Sequence, residues 1–310
     1  MKLDIAQYTN RGGREINEDS LIVGDDYFAV ADGLGGHLAG EIASAAAVDS
    51  LSRNCKGGYT AERINEIAEQ ANTDVLNFGG KGRTTLAAAF VENGIFRYVN
   101  AGDSRIYYFK NNRVYAHSRD HSVCQVSVEM GNITFEEIRG NEDRSRLLKV
   151  LGDSERLNLK KPYDPIEIEA GDAFLLCSDG FWENVIEGEM EADLIKSDSA
   201  AQWLGYMLKR QLKRAENKDD NYTAVCGIFA DDTPVAAPVK KSRAGLITCL
   251  VIGAIAIGAA GIFLLKGKEE TPPETPVIGS SMSDNDTLPV IGISSDNNTI
   301  RVGKSKPVNS

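Results

Sequence analysis

Acidic residues at turn-like corners are the feature of this sequence with the clearest chemical potential. Two of them close apolar runs, and all stand beside glycine or asparagine, in Asp32-Gly33, Gly102-Asp103, Asp179-Gly180 and Asp220-Asn221. Glycine permits a sharp turn, so carboxylates at neighbouring strand ends can converge on one point. Such a cluster is strongly repulsive without cations. An all-oxygen set with no His or Cys favours Mg²⁺ or Mn²⁺ over Zn²⁺.

Two further residues extend this set toward phosphate chemistry. Arg14 offers a planar guanidinium that can bind a phosphate through two hydrogen bonds, and Glu18 adds another carboxylate. Any one of these acids taken alone is as well explained by a solvated turn. The combination indicates a phosphoester hydrolase.

The elements that must position these residues read as a mixture of strands and helices. Helical periodicity appears over 61–75 and 203–212, and Ser199 is a candidate N-cap for the second helix. Turns at Glu92-Asn93-Gly94 and Lys110-Asn111-Asn112 predict antiparallel hairpins. Strands are predicted at 3–9, 20–31, 84–92, 94–101, 104–110, 113–117, 165–169, 173–178 and 222–229. The predicted fold class is therefore α+β.

Composition places the 310-residue chain among ordinary globular proteins, with 42% hydrophobic and 25% charged residues. Residues 1–229 carry the whole net charge of -11. This acidity argues against a nucleic-acid partner, because phosphate contacts need clustered Lys and Arg. It is compatible with bound cations.

The five cysteines are scattered and include no Cys-x-x-Cys pair. Neither a zinc clip nor a disulfide framework is indicated, and a reducing compartment is the simplest interpretation. Cys177 and Cys226 lie in apolar runs and are expected to be small buried hydrophobic residues.

The C-terminal part of the sequence predicts membrane anchoring. Residues 244–265 carry no charge and, as a helix, would be about 33 Å long, enough to cross a bilayer. The linker 230–243 before this span contains Lys240, Lys241 and Arg243, which weakly favours a cytoplasmic location for residues 1–243. Residues 266–310 are polar and predict a disordered extracytoplasmic tail. A buried helix of a soluble domain is the alternative interpretation of 244–265.

Residues 1–229 resemble the type 2C metal-dependent Ser/Thr protein phosphatases, particularly their bacterial members. Six motifs follow in the family's order: Arg14-Glu15-Ile16-Asn17-Glu18-Asp19, Ala31-Asp32-Gly33-Leu34-Gly35-Gly36-His37, Asn100-Ala101-Gly102-Asp103-Ser104-Arg105, Arg119-Asp120-His121-Ser122, Cys177-Ser178-Asp179-Gly180-Phe181-Trp182 and Asp219-Asp220-Asn221-Tyr222-Thr223. The resemblance implies a central antiparallel β-sandwich flanked by helices, in α-β-β-α layers. With the C-terminal transmembrane helix, this is the predicted architecture.

The resemblance also implies roles for individual residues. Asp32 would bridge two Mg²⁺ or Mn²⁺ ions, and Asp179 and Asp220 would complete the ligands of the first. Glu18 and the Gly33 carbonyl would bind the second, and Asp103 with Asp179 would hold a third, weaker ion. Arg14 would clamp the phosphate, and Asp19 would orient ligands or waters. The implied reaction is attack of metal-activated water on phosphorus without a phosphoenzyme.

The sequence departs from the family pattern at the leaving-group acid. Many eukaryotic members carry a histidine directly after Asp-Gly, where this chain has Leu34. His37 is the predicted proton donor, His121 is another candidate, and a metal-bound water could serve instead. Residues 127–140 resemble the family's mobile flap, for which substrate selection and a purely structural role are equally compatible with the sequence.

The sequence therefore predicts a single-pass, cytoplasm-facing phosphatase acting on phosphoserine and phosphothreonine. Its predicted partners are phosphoproteins of a Ser/Thr kinase pathway and, through Ala244–Leu265, a membrane. One alternative is a catalytically silent member of the fold that binds partners. The other is a hydrolase of small phosphoesters, although no strand-Gly-x-x-x-x-Gly-Lys-Ser/Thr nucleotide loop is present.

Overall fold

The computed structural model describes residues 1–35, 38–78, 81–154, 156–157, 159, 163–214, 220–231, 301–302 and 306–307. These residues belong to one compact unit built on two antiparallel sheets. The second compact unit, Thr233–Gly292, lies outside the described residues.

The first sheet is built on strands from both ends of the phosphatase-like region. In spatial order it contains β12 (Arg301–Val302), β1 (Lys2–Asn10), β11 (Tyr222–Ala230), β10 (Ala173–Cys177), β7 (Arg105–Lys110) and β8 (Arg113–His117). A further short strand, β13 (Lys306–Pro307), also pairs with β1. β1 and β11 are in register from Lys2 opposite Ala230 to Asn10 opposite Tyr222.

The second sheet contains the other half of the strands. Its spatial order is β2 (Asp19–Val23), β3 (Tyr27–Leu34), β5 (Leu86–Glu92), β6 (Ile95–Ala101) and β9 (Ile166–Glu167), and β4 (Arg83–Thr84) pairs with the end of β3. β2 and β3 pair so that Asp19 lies opposite Asp32.

Two tight turns fix the hairpins. Asn93 and Gly94 adopt φ values of 52° and 72°, and Asn111 and Asn112 adopt 51° and 59°. Two consecutive residues in the left-handed region are typical of type I′ turns, whose twist matches the flanking strands. The hairpin predictions at both positions are confirmed.

Aromatic side chains join the two sheets. Phe28 of the second sheet packs on Phe174 of the first with ring centroids 5.0 Å apart, and Phe96 lies 5.4 Å from Phe174. All three are fully buried, and they form one cluster with residues from both sheets. The two sheets therefore form a sandwich.

Helices cover both outer faces of the sandwich. The outer face of the second sheet packs on α1 (Leu38–Asn54) and α2 (Ala61–Phe78), whereas the outer face of the first packs on α5 (Glu187–Ile195) and α6 (Ala200–Arg214). Three short helices complete the described part of the fold. α3 (Val123–Glu129) and a 3-10 helix (Glu136–Gly140) follow β8 in the sequence, and α4 (Asp179–Trp182) follows β10. This arrangement confirms the α-β-β-α prediction.

The differences from the predicted elements have local causes. The segment 20–31 is divided into β2 and β3, because the chain reverses where Gly24 N donates to the Tyr27 carbonyl at 2.8 Å. The helix predicted at 203–212 is longer, and its Ser199 cap is confirmed, because Ser199 Oγ accepts from Gln202 N at 3.2 Å. No boundaries were predicted for α1, whose Ala- and Ser-rich sequence lacks a strong apolar stripe.

The membrane prediction concerns residues that the structure does not describe. Among the helices of the described residues, none combines the length and apolar character needed to span a bilayer. The segments 244–265 and, apart from β12 and β13, 266–310 lie outside the described residues. The predicted span therefore stays a prediction.

Candidate active site

Asp32 stands near the end of β3, and local hydrogen bonds fix its backbone. Asp32 N donates to Thr85 Oγ1 at 2.9 Å, and the Asp32 carbonyl accepts from Thr85 N at 2.9 Å and from Thr84 Oγ1 at 2.8 Å. Thr85 Oγ1 also shares a 2.7 Å hydrogen bond with Ser104 Oγ, next to Asp103. The pair of threonines therefore joins Asp32 to the loop that carries Asp103.

Asp19 lies opposite Asp32 on β2 and is buried. Its Oδ2 accepts from Ser178 Oγ at 2.8 Å. Ser178 Oγ in turn accepts from Thr223 N at 2.9 Å. This chain of contacts connects the second sheet to the first at the end of the sandwich where the acids meet.

Glycines at two positions allow Glu18 and the Gly33 carbonyl to approach each other. A Cβ at Gly40 would lie 3.0 Å from the Glu18 carboxyl carbon and 3.0 Å from the Gly33 carbonyl oxygen. A Cβ at Gly33 would lie 2.3 Å from the Gly40 carbonyl oxygen. The structure thus brings together the two groups predicted to share one metal ion.

Asp179 begins α4, with one residue between it and the end of β10, and Asp220 and Asn221 directly precede β11. The two segments pack closely, since a Cβ at Gly180 would lie 2.2 Å from the Asn221 carbonyl oxygen and 3.3 Å from Asp220 Cβ. Burial, followed by repulsion from Glu183 and Asp220, raises the pKa of Asp179.

Asn221 holds the Asp220 turn against the loop that contains Arg14. Its Nδ2 donates to the carbonyls of Arg11 and Ile16 at 2.9 and 3.0 Å, and its Oδ1 accepts from Glu18 N at 2.8 Å. Asn221 is 4% exposed, so these hydrogen bonds are shielded from water. The Asn221 side chain therefore helps to position two predicted ligands, Glu18 and Asp220.

Asp103 is buried on the loop between β6 and β7. Its carbonyl accepts from Trp182 Nε1 at 2.9 Å, which ties the loop to α4. Burial is the main reason that the pKa of the Asp103 carboxyl is raised well above its usual range, and repulsion from Asp179 and Asp120 adds to it.

Carboxyl groups in this cluster repel one another. Burial, followed by repulsion from Asp19, Asp179, Asp103 and Asp220, raises the pKa of Asp32 well above its usual range. Burial also raises the pKa of both Asp19 and Asp179 to about 7. These shifts identify the place in the described domain where negative charge is concentrated and cations would be most favourable.

Two oxygen atoms support the same conclusion. Oδ1 of Asp19 and Oδ1 of Asp179 are buried and accept no hydrogen bond within the described part of the chain. A buried carboxylate oxygen without a donor is costly, and oxygen is the ligand atom that Mg²⁺ and Mn²⁺ prefer. The donor set therefore fits hard divalent cations.

Arg14 contacts one of the predicted ligands. Its Nη2 donates to Asp220 Oδ2 at 2.6 Å, and both side chains are about half exposed. Among the described residues, no group of three or more His, Cys, Asp or Glu side chains is placed so that it could hold a metal ion. Arg14 thus lies at the rim of the acidic cluster, within reach of one of its members.

The histidine predictions have different outcomes. His37 lies outside the described residues. His121 lies next to the Asp103 loop, because its backbone N–H donates to the Gly102 carbonyl at 2.8 Å. His117 is in β8, as predicted, and its ring packs 4.6 Å from that of Phe135.

A buried arginine connects the Asp103 loop to the flap-like segment 127–140. Arg105 Nε and Nη2 donate to the two carboxylate oxygens of Asp120 at 2.9 and 2.7 Å. Its guanidinium lies 3.5 Å from the ring centroid of Trp182 and 4.5 Å from that of Phe135. The segment therefore packs on α4, the helix that begins with Asp179.

Sequence reasoning did not assign roles to several polar residues that hold the site together: Thr84, Thr85, Ser104, Ser178, Asn221 and Thr223. Their hydrogen-bond partners are distant in sequence, so spacing could not reveal them. Position was the available signal, because Ser104, Ser178 and Asn221 are each adjacent to a predicted ligand.

Residues 9–221 match the family model for protein phosphatase 2C. This match covers well over half of the 310-residue chain. The chain therefore belongs to the protein phosphatase 2C family, which confirms the resemblance.

Named relatives are bacterial serine/threonine phosphatases. The chain is 36% identical over 182 residues to the serine/threonine phosphatase stp of Listeria welshimeri, which covers 54% of this chain and 71% of that protein. It is 31% identical over 195 residues to the serine/threonine protein phosphatase PstP of Mycobacterium tuberculosis, covering 58% of this chain. The match spans only 37% of the length of PstP.

Solved structures show the same fold. The crystal structure of M. tuberculosis PstP/Ppp superimposes with a TM-score of 0.65 at 27% identity, covering 74% of this chain and all of that one. A further structure of the PstP catalytic domain contains two manganese ions and gives a TM-score of 0.63, covering 74% of this chain and 99% of that one.

Proposed function

We propose that this chain is a metal-dependent phosphatase that hydrolyses phosphoserine and phosphothreonine in proteins. The observation that carries the proposal is the set of converging carboxylates, which includes two buried oxygens that accept no hydrogen bond in the described residues. Family membership and the names of the bacterial relatives support the same reaction.

The residues assigned to the metal ions are those predicted from the sequence. Asp32, Asp179 and Asp220 would hold one ion, and Asp32 with Glu18 and the Gly33 carbonyl would hold a second. Asp103, together with Asp179, would hold a third. Bound Mn²⁺ or Mg²⁺ would supply an activated water and neutralise charge that develops on the phosphoryl group.

Residues of the chain would bind the phosphate and organise the ligands. Arg14 has the donor geometry for two phosphoryl oxygens, and its contact with Asp220 Oδ2 places the guanidinium beside the cluster. Asp19, held by Ser178, would orient Asp32 from the adjacent strand. His37 and His121 are the candidate donors of a proton to the leaving oxygen.

We further propose that residues 244–265 anchor the protein in a membrane, with the phosphatase domain in the cytoplasm. The absence of charge over this segment and the preceding basic residues support this placement. Arg301–Val302 pairs with β1 of the phosphatase domain. A membrane crossing at 244–265 would place these two segments on opposite sides of the membrane, so the two arrangements exclude each other. A reporter fused after Ser310 separates them: a cytoplasmic signal would overturn the proposed topology.

The reaction is tested with the full chain purified in mild detergent. Phosphate release from a phosphothreonine peptide and from a nucleotide is measured with Mn²⁺ and with chelator. We expect Mn²⁺-dependent turnover of the peptide. Asp179→Asn should lower kcat at least about a thousandfold while the protein stays folded, because a metal ligand is lost.

Other outcomes have definite meanings. A folded, Mn²⁺-binding wild-type protein without turnover would favour a silent binding protein, and preference for the nucleotide would favour a small-phosphoester hydrolase. Glu191→Gln is a matched control, because it also replaces a carboxylate by an amide and lies far from the cluster, paired with Arg113 at 2.6 Å. It should retain activity.

A further inference from the structure

A cavity of about 660 Å³ is lined on one side by His121, a candidate proton donor, and by none of the proposed metal ligands or Arg14. Its walls come from β6, β8, α3 and the segment around Leu148, and they include Asn100, Tyr115, Arg119, Gln125 and Tyr163. This volume is in the range of pockets that bind ligands or peptide side chains.

The cavity and the acidic cluster share structural elements. Asp120 lines the cavity, and its neighbour His121 donates from N to the Gly102 carbonyl beside Asp103. The segment 147–151 connects the cavity to the cluster. Leu147 pairs with Ser122 in the cavity wall, whereas Leu151 pairs with Thr84, which donates to the Asp32 carbonyl. A polypeptide bound in the cavity would therefore lie next to a phosphorylated residue at the cluster.

The rim of the cavity exposes apolar side chains. Tyr115 is 62% exposed, Leu148 is 58% exposed and Val126 is 37% exposed, and all three line the cavity. Most other large apolar residues of the domain are buried. Three exposed apolar side chains around one concave surface mark a place where a partner can bury apolar area.

The charges at the rim favour an acidic partner. Arg119, Lys149, Asp120 and Glu129 line the cavity, and Asp120 is neutralised by its buried partner Arg105, which leaves one more positive than negative charge in the lining. Arg119 lies 3.7 Å from Glu129, but their side chains are 69% and 50% exposed, so this ion pair contributes little and can be exchanged for a ligand carboxylate. The basic rim complements acidic residues and phosphate groups.

One buried side chain in the wall suits a polypeptide. Gln125 is 7% exposed, and its Oε1 accepts no hydrogen bond from the residues that the structure describes. A carboxamide has the same donors and acceptors as a peptide group, so a bound backbone can satisfy it. A buried polar group without a partner is otherwise unfavourable.

We infer that this cavity binds the polypeptide flanking the phosphorylated residue of a protein substrate, and that it selects flanks with an apolar side chain and an acidic group. This inference rests on the proposed phosphatase function and names its substrate class. The apolar side chain would lie among Tyr115, Val126 and Leu148, and the acidic group would pair with Arg119.

The test compares three substrates with the full chain in detergent and Mn²⁺. They are a phosphothreonine peptide flanked by Leu and Glu, the same peptide with Gly and Ser at those positions, and a small aryl phosphate. The wild type should prefer the Leu/Glu peptide in kcat/KM. The double variant Arg119→Glu/Leu148→Glu should lower kcat/KM for that peptide about tenfold more than for the aryl phosphate.

A matched variant controls for charge reversal alone. Lys209→Glu/Leu212→Glu makes the same charge reversal and the same Leu→Glu replacement on the exposed face of α6, where Leu212 is 61% exposed. It should leave the ratio of the two kcat/KM values at the wild-type level. Thermal unfolding checks that both double variants remain folded.

The failures are distinguishable. A wild type that turns over all three substrates but shows no flank preference, or a cavity variant with the wild-type ratio, would overturn the inference and leave the phosphatase function intact. Equal losses on peptide and aryl phosphate would also overturn it, because the cavity would then affect the chemistry rather than the polypeptide. A folded wild type inactive on every substrate would overturn both proposals.

Discussion

Two sets of buried carboxylates lie next to each other in this domain, and they differ in how their charge is balanced. Asp120 receives two hydrogen bonds from Arg105, whose side chain is fully buried. Burial, together with repulsion from neighbouring carboxylates, raises the pKa values of Asp19, Asp32 and Asp179. The first set carries its own cation in the chain, whereas the second requires cations from solution.

This difference explains how structure and chemistry are divided between the two sets. The Arg105–Asp120 pair, packed on Trp182, fixes the loop that carries Asp103 and the helix that begins with Asp179. A frame held by protein groups alone can keep the second set close together despite its repulsion. Removing either charge of the pair should therefore affect folding more than removing one acid of the cluster.

The largest expected effect comes from breaking the internal pair. Asp120→Ala leaves Arg105 buried without its carboxylate and should lower the free energy of unfolding by about 3–5 kcal/mol, measured by urea denaturation with chelator present. The matched control is Asp153→Ala, whose partner Arg83 lies at 2.9 Å with both side chains about half exposed. That change should cost less than about 1 kcal/mol. Equal losses would remove the contrast between the two sets.

The next effect is stabilisation by metal. Mn²⁺ at a hundred times its dissociation constant should raise the free energy of unfolding by about 2.7 kcal/mol for one site, followed as a shift of the melting temperature and reversed by chelator. The variant Asp32→Asn lacks the proposed bridging carboxylate, so Mn²⁺ should raise its free energy of unfolding much less. If this variant and the wild type gained equally, the cluster would not be the metal site.

The smallest effect concerns pH in the presence of chelator. The folded-state pKa values of Asp19 and Asp179 are raised from an ordinary 3.8 to about 7, so the folded state binds more protons than the unfolded state between these values. Stability should therefore fall by about 1 kcal/mol or more as pH rises from about 5 to about 7.5. Asp179→Asn should flatten this dependence, as followed by urea denaturation. A wild-type profile that rises over this range would contradict the raised pKa values of Asp19 and Asp179.

Much of the fold could be predicted from local sequence. Asn-Gly and Asn-Asn turns identified two hairpins, and amphipathic patterns identified α2 and α6. Patterns failed where a helix is short or packs mainly through small residues. Thus α4 was missed, and α1 received no boundaries, because Ala43 and Ala47 are buried without a strong apolar stripe.

The acids of the candidate site were also recognisable from sequence, since each of them stands beside a turn residue in a recurrent motif. The residues that hold them were not. Asn221 reaches Arg11 and Ile16 across more than 200 positions, and Thr85 reaches Ser104 on another loop. Such contacts depend on strand pairing between distant segments, which spacing along the chain does not encode.

The sequence by itself determined the chemical inventory: carboxylates at strand ends, an arginine for phosphate, turn residues, and the apolar segment 244–265 whose membrane role stays a prediction. Only the tertiary structure decided which acids lie beside an arginine and which lie beside one another. Asp120 pairs with Arg105, whereas Asp19 meets Asp32 through the register of β2 and β3. The physical reason is that Coulomb interactions depend on distance and burial, and both arise only when the two sheets pack together.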